Sequence, residues 1–137
     1  MSDLKTESTA VDPAVWRTVW VVLVGALAVL FDTTIVAVAL HTLSIELNAP
    51  ISTIQWVTTG YLLALAVVIP ITGWAQRVFG AKRLWLIALA IFLTGSILSS
   101  LAWNAGSLIT FRVVQGVGGG VMMPLMSTLV MQAAGGK

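Results

Sequence analysis

Four apolar runs, each long enough to cross a bilayer, leave this 137-residue chain few folds to choose from. A spanning helix needs about 20 mainly apolar residues, and segments 16–40, 51–74, 84–103 and 107–134 qualify. Inside hydrocarbon the backbone must satisfy its own hydrogen bonds, which restricts spanning structures to helices and closed barrels. Runs of this length predict helices. Hydrophobic residues make up 58% of the chain and charged residues 9%, where soluble domains carry about 25% charged residues. The expected architecture is therefore an all-α membrane protein with four transmembrane helices joined by short connections. Residues 1–15, with Asp3, Lys5, Glu7, Asp12 and Pro13, read as a polar tail. The apolar run behind them exceeds a signal-peptide core and lacks an obvious cleavage site, so the first helix is expected to be retained.

Charge placement predicts the orientation. Lys5 and Arg17 precede the first span, Arg77, Lys82 and Arg83 lie between the second and third, and Lys137 follows the fourth. Segments 41–50 and 104–106 contain neither Lys nor Arg. The positive-inside rule then puts the amino terminus in the cytoplasm, in a multi-pass protein of the plasma membrane with lipid as its constant partner. No soluble basic face offers a nucleic-acid surface. Trp16, Trp20, Trp56, Trp74, Trp85 and Trp103 all fall near span ends, where indoles anchor helices at headgroup depth. With no cysteine, disulfides and thiolate metal sites are excluded.

Two ions sit where hydrocarbon should be: Asp32 in the first span and Arg112 in the fourth. Such residues mark functional sites by default, because each costs on the order of 3 kcal/mol at the bilayer centre on insertion scales. At about 1.5 Å per residue, Asp32 lies roughly 20 Å from Arg17, and Arg112 roughly 12 Å from Asn104. In a core about 30 Å thick both fall in the outer half, so a pair is expected. Gly25, Ala28, Val29, Asp32, Ile35, Val36 and Ala39 form the predicted inward face of span one. On span four, Arg112, Gln115, Gly116, Gly119 and Met123 share a stripe ahead of Pro124. Phe31, Gln55, Thr58, Tyr61 and Gln115 are candidates for lining a small-molecule cavity, though the same side chains can pack between helices. Pro70 predicts a kink in span two, while span three, with Gly95, Ser96, Ser99 and Ser100, reads as a packing helix. Gly116, Gly118, Gly119 and Gly120 fall in one turn of span four. Gly116 and Gly120 make a G-x-x-x-G pair suited to close helix approach, and such a surface also suits a sliding helix contact.

Three segments together resemble a known family. Phe31-Asp32-Thr33-Thr34-Ile35-Val36-Ala37-Val38-Ala39-Leu40 resembles the first-helix motif of drug/proton antiporters of the major facilitator superfamily, of the fourteen-span type. Gly73-Trp74-Ala75-Gln76-Arg77-Val78-Phe79-Gly80-Ala81-Lys82-Arg83 is similar to the superfamily loop between helices two and three, and Phe111-Arg112-Val113-Val114-Gln115-Gly116-Val117-Gly118-Gly119-Gly120 to its fourth-helix motif. The resemblance implies export of hydrophobic, often cationic drugs in exchange for protons, with Asp32 and Arg112 as the coupling pair and Gln115 as their neighbour. It also implies a gating loop around Gly73, Arg77, Gly80, Lys82 and Arg83. Two positions depart from the pattern: Arg77 stands where the family loop carries an acid, and His41 where a proline commonly closes the first-helix motif.

A superfamily half has six helices in paired inverted repeats. Four spans are offered here, so the expectation is the amino-terminal part of a transporter that is inactive alone and partnered by the missing C-terminal helices. The chain holds no phosphate-binding G-x-x-x-x-G-K-[ST] loop, no metal cluster and no nucleophilic arrangement, so no cofactor and no enzymatic activity are implied. Two other readings stay open: a complete four-span exporter acting as a dimer, like the small multidrug-resistance proteins, and a membrane interaction module without transport.

Overall fold

The structure, a computed structural model, describes residues 11–135, so most of the expected polar tail, including Lys5, and Lys137 lie outside the described residues. Four helices account for nearly all of it: α1 (Pro13–Glu46), α2 (Ile51–Phe79), α3 (Ala81–Ser100) and α4 (Ala105–Ala134). All four are long and apolar enough to cross a membrane. The fold is all-α, as the apolar runs imply.

Local chemistry sets where each helix begins. Asp12 caps α1, its Oδ1 accepting from the Ala14 N–H at 2.9 Å, and Pro13 fills a first-turn position whose missing N–H costs nothing. α1 runs past the expected span to Glu46, carrying His41 on its exposed side. Asn48, with φ of 51°, then reverses the chain ahead of Pro50. Between α2 and α3 the connection is Gly80 alone, at φ 81°, a backbone state that a side chain strains. α3 ends at Ser100, so Trp103 lies in the turn beyond it. Asn104 and Ser107 form a reciprocal capping box that starts α4. Pro70 and Pro124 both lie inside continuous helices.

α4 is the central element. It packs most extensively against α2 and α3, then against α1, and half of its most apolar window is buried, against 17% for α1. Glycine makes the contacts close. A Cβ added to Gly116 would fall 2.5 Å from the Tyr61 carbonyl oxygen, and one at Gly120 2.8 Å from that of Leu65, both on α2. At Gly118 the same atom would meet the Ala88 carbonyl oxygen and the Phe92 nitrogen of α3, each at 2.7 Å. One glycine-rich turn therefore brings two neighbouring backbones against α4.

Along α1 the inward positions are Val22, Gly25, Val29, Asp32, Val36, Leu40 and Leu43. Their steps of three and four residues are those of a helix seam. Ile35, expected on this face, is 64% exposed, because it stands one residue off the seam. Trp85 also corrects the expectation. It is 3% exposed, with its ring against Gly25, whereas the other five Trp residues are exposed. The α3 stripe Ala81, Leu84, Trp85, Ala88, Phe92 and Gly95 carries it inward.

Candidate functional site: a buried ion pair capped by tyrosine

The apolar core is interrupted. Leu108 belongs to a small cluster with Ile54 and Val57, and Val121, Met122 and Leu125 to a larger one with Phe92 and Trp85. Between them on α4 lie Arg112 and Gln115, 1% and 0% exposed. Arg112 Nη1 donates to Asp32 Oδ2 of α1 at 2.5 Å and to Gln115 Oε1 at 2.8 Å. The sequence positions of Asp32 and Arg112 thus meet across 80 residues. The Arg112 side chain is 2% exposed and that of Asp32 17%, so the acid is the member of the pair nearer to the outside.

α2 closes the other side. The Arg112 guanidinium carbon lies 4.3 Å from the centroid of the Tyr61 ring, a cation–π contact in a desolvated setting. Glycine positions that ring: a Cβ on Gly119 would fall 2.9 Å from the Tyr61 hydroxyl, and Gly116 lies against the Tyr61 backbone. On the far side α3 supports Gln115, since a Cβ on Gly95 would sit 2.9 Å from the Gln115 nitrogen. Side chains of α1, α2 and α4 therefore meet at one guanidinium, with α3 behind Gln115.

The cluster is only half-satisfied. Among the described residues, Arg112 Nε, Gln115 Nε2 and Tyr61 Oη are buried without a hydrogen-bond partner. Each unmet buried polar group costs about 1–3 kcal/mol, so the arrangement is a poor structural rivet and a good place for water, protons or a polar ligand group. The hydroxyls flanking the acid do not supply partners. Thr33 Oγ1 and Thr34 Oγ1 donate to the carbonyls of Val29 and Leu30.

Of the side chains proposed to line a cavity, Tyr61 and Gln115 reach this layer, and Thr58, three residues before Tyr61 on α2, is half-buried with its hydroxyl unpartnered among the described residues. Phe31 does not reach the layer; it is 63% exposed, and Gln55 is exposed as well. Each is a near neighbour of a site residue in sequence but turned to the outer face of its helix. Met123 likewise leaves the α4 stripe at 41% exposure, and Met122 takes the inward place. In the α2–α3 segment Gly73, Arg77, Gly80, Lys82 and Arg83 are all exposed, and Gly73 has nothing within 4 Å of where a Cβ would stand. None of the three cations forms an ion pair among the described residues. Gly95, read from the sequence as part of a packing helix, supports Gln115 through its place on the buried stripe of α3.

The Major Facilitator Superfamily profile matches residues 22–137. The chain is 39% identical over 126 residues to a multidrug resistance protein B homolog of Mycobacterium tuberculosis, covering 92% of this chain and 23% of that protein. It is 38% identical over 109 residues to the tetracenomycin C resistance and export protein of Streptomyces glaucescens, covering 80% and 20%. It is 42% identical over 99 residues to the efflux pump dotC of Dothistroma septosporum, covering 72% and 17%. The chain thus spans about a fifth of the length of these curated relatives. No solved structure matches it. A family match over most of the chain makes it a member of the major facilitator superfamily.

Proposed function

We propose that this chain forms the first four helices of a proton-coupled exporter of hydrophobic or cationic small molecules, a drug/proton antiporter of the fourteen-span type. The observation that carries the reading is the pairing of Asp32 with Arg112 in a layer that also holds unmet polar groups. A carboxylate beside a guanidinium keeps its charge. When a helix movement parts the two in a low-dielectric interior, taking up a proton is the cheaper state for the acid. Tyr61 gives Arg112 a second partner, the ring face, so the cation stays in place while Asp32 becomes neutral. A cationic substrate approaching the more exposed Asp32 competes with Arg112 for the same carboxylate, which links substrate binding to proton release.

Relatives named for multidrug resistance and efflux support the substrate class. Superfamily membership counts against the reading as a small multidrug-resistance-like dimer. On this proposal Gln115 positions Arg112, the glycines of α4 form the sliding contact, and residues 73–83 act as the gating loop, with Arg77 replacing the acidic latch by a different contact. The remaining helices of the transporter complete the cavity, and the chain alone exports nothing. The proposed topology, in the plasma membrane with a cytoplasmic amino terminus, rests on the charge alternation. Cysteine at exposed Thr42 should react with an impermeant thiol reagent from outside and cysteine at exposed Phe79 should not; the reverse would overturn the orientation. For the function itself, everted vesicles holding the complete transporter should show substrate-driven proton movement that Asp32→Asn abolishes. Substrate-driven proton movement that is unchanged in Asp32→Asn would refute the coupling role.

A further inference from the structure

The start of α1, the start of α3 and the end of α4 meet at one end of the bundle and enclose a cavity of about 540 Å³. That volume lies within the range of about 300–1,000 Å³ typical of small-molecule pockets. Its inner wall is apolar, from Val22, Trp85 and Leu129, all core residues. Its rim is not. Arg17 of α1 and Lys82 of α3 border it, both exposed and neither in an ion pair among the described residues. The described acids are Asp12, Asp32 and Glu46, and none of them lines the cavity. The start of α3, at Lys82, has no side-chain cap and adds positive potential that the carboxyl end of α4 offsets in part, whereas the start of α1 is capped by Asp12, whose carboxylate accepts from the N–H of the lining residue Ala14. Trp85 is buried, yet its Nε1–H has no partner.

We propose that this cavity seats one anionic phospholipid, its phosphate between Arg17 and Lys82 and its upper acyl chain along Val22, Trp85 and Leu129. The charge of the rim selects the headgroup, as basic pockets between membrane helices do. The apolar wall selects a lipid over a free anion, which leaves that wall bare. The mouth lies where α1 and α3 begin, level with a bilayer surface, so a lipid enters sideways without leaving the membrane. This site is separate from the Asp32–Arg112 layer and stands whether or not that layer couples protons.

The test uses the purified chain in phosphatidylcholine nanodiscs containing a small fraction of phosphatidylglycerol, with retained lipid counted by native mass spectrometry. With about fivefold from each cation near the surface, phosphatidylglycerol should be retained about 30-fold over phosphatidylcholine. Arg17→Gln with Lys82→Gln should remove that preference, while Arg77→Gln with Arg83→Gln, which removes as much charge from the same end, should leave most of it. Brominated phosphatidylglycerol should quench a fluorescence component that disappears in Trp85→Phe. Excess inorganic phosphate should not displace the lipid. Equal losses in the two double variants would mean general surface attraction, displacement by phosphate would mean a free-anion site, and absence of Trp85 quenching would mean the cavity is closed to lipid. Each of those results overturns the proposal.

Discussion

In the first third of α4, Arg112 is 1% exposed and its charge is met from within the protein by Asp32, Gln115 and the face of Tyr61. Around the far end of the same helix, Arg17 and Lys82 border a cavity that no acid among the described residues lines. The difference follows from backbone spacing. Gly116, Gly118, Gly119 and Gly120 let α2 and α3 close on the middle of α4, so polar groups there must satisfy one another. At the end, Trp85, Leu129 and Gln132 line an open cavity whose rim carries exposed charge. On the two proposals, the first region exchanges internal partners and the second holds an external one.

The strongest way to break this contrast is to strip the internal partner. Arg112→Met takes away the hydrogen bonds to Asp32 and Gln115 and the contact with the Tyr61 ring, and two charge-assisted hydrogen bonds are worth about 4 kcal/mol. Unfolding of the chain in mild detergent should shift by that amount, and Asp32→Asn added to Arg112→Met should cost little further, because the acid has already lost its partner. Full additivity of the two losses would mean that the two side chains do not interact. Next in size is the close approach itself. Gly118→Ala forces a methyl group into the α3 backbone and should cost about 3 kcal/mol, the upper end for overpacking, read in the same unfolding assay.

A smaller effect separates ring from hydroxyl at Tyr61. Tyr61→Leu removes the cation–π contact and should cost about 2 kcal/mol beyond Tyr61→Phe, which keeps the ring. Equal losses would assign the role to the orphaned hydroxyl instead. The smallest effect has the opposite sign. Gly73 has open space around its Cα and lies in the helix interior, so Gly73→Ala should stabilise α2 by about 0.4–1 kcal/mol in the unfolding assay.

Much of this arrangement was legible in the order of residues. Apolar runs imposed the four helices, and similar depth in the bilayer put Asp32 level with Arg112 before any contact was known. The clustered glycines pointed to close packing because the residue is otherwise costly in a helix. What escaped was rotation about the helix axes. Each residue turns the helix by about 100°, so Phe31 beside Asp32 and Met123 beside Met122 face outward although their neighbours face in. Trp85 shows the same limit: position near a span end suggested the headgroup layer, while its place on the Leu84, Ala88, Phe92 stripe sends it into the core. The cation–π contact between Tyr61 and Arg112 needed the α2–α4 spacing, which no pattern within either helix specifies.

The central claim is that Asp32 and Arg112 form the coupling pair of the complete transporter. Export of a cationic dye from vesicles holding that transporter, driven by an imposed pH gradient, reads this directly. The account predicts that Asp32→Asn abolishes gradient-driven export while membrane insertion is unchanged. Gradient-driven export that persists in Asp32→Asn would contradict it.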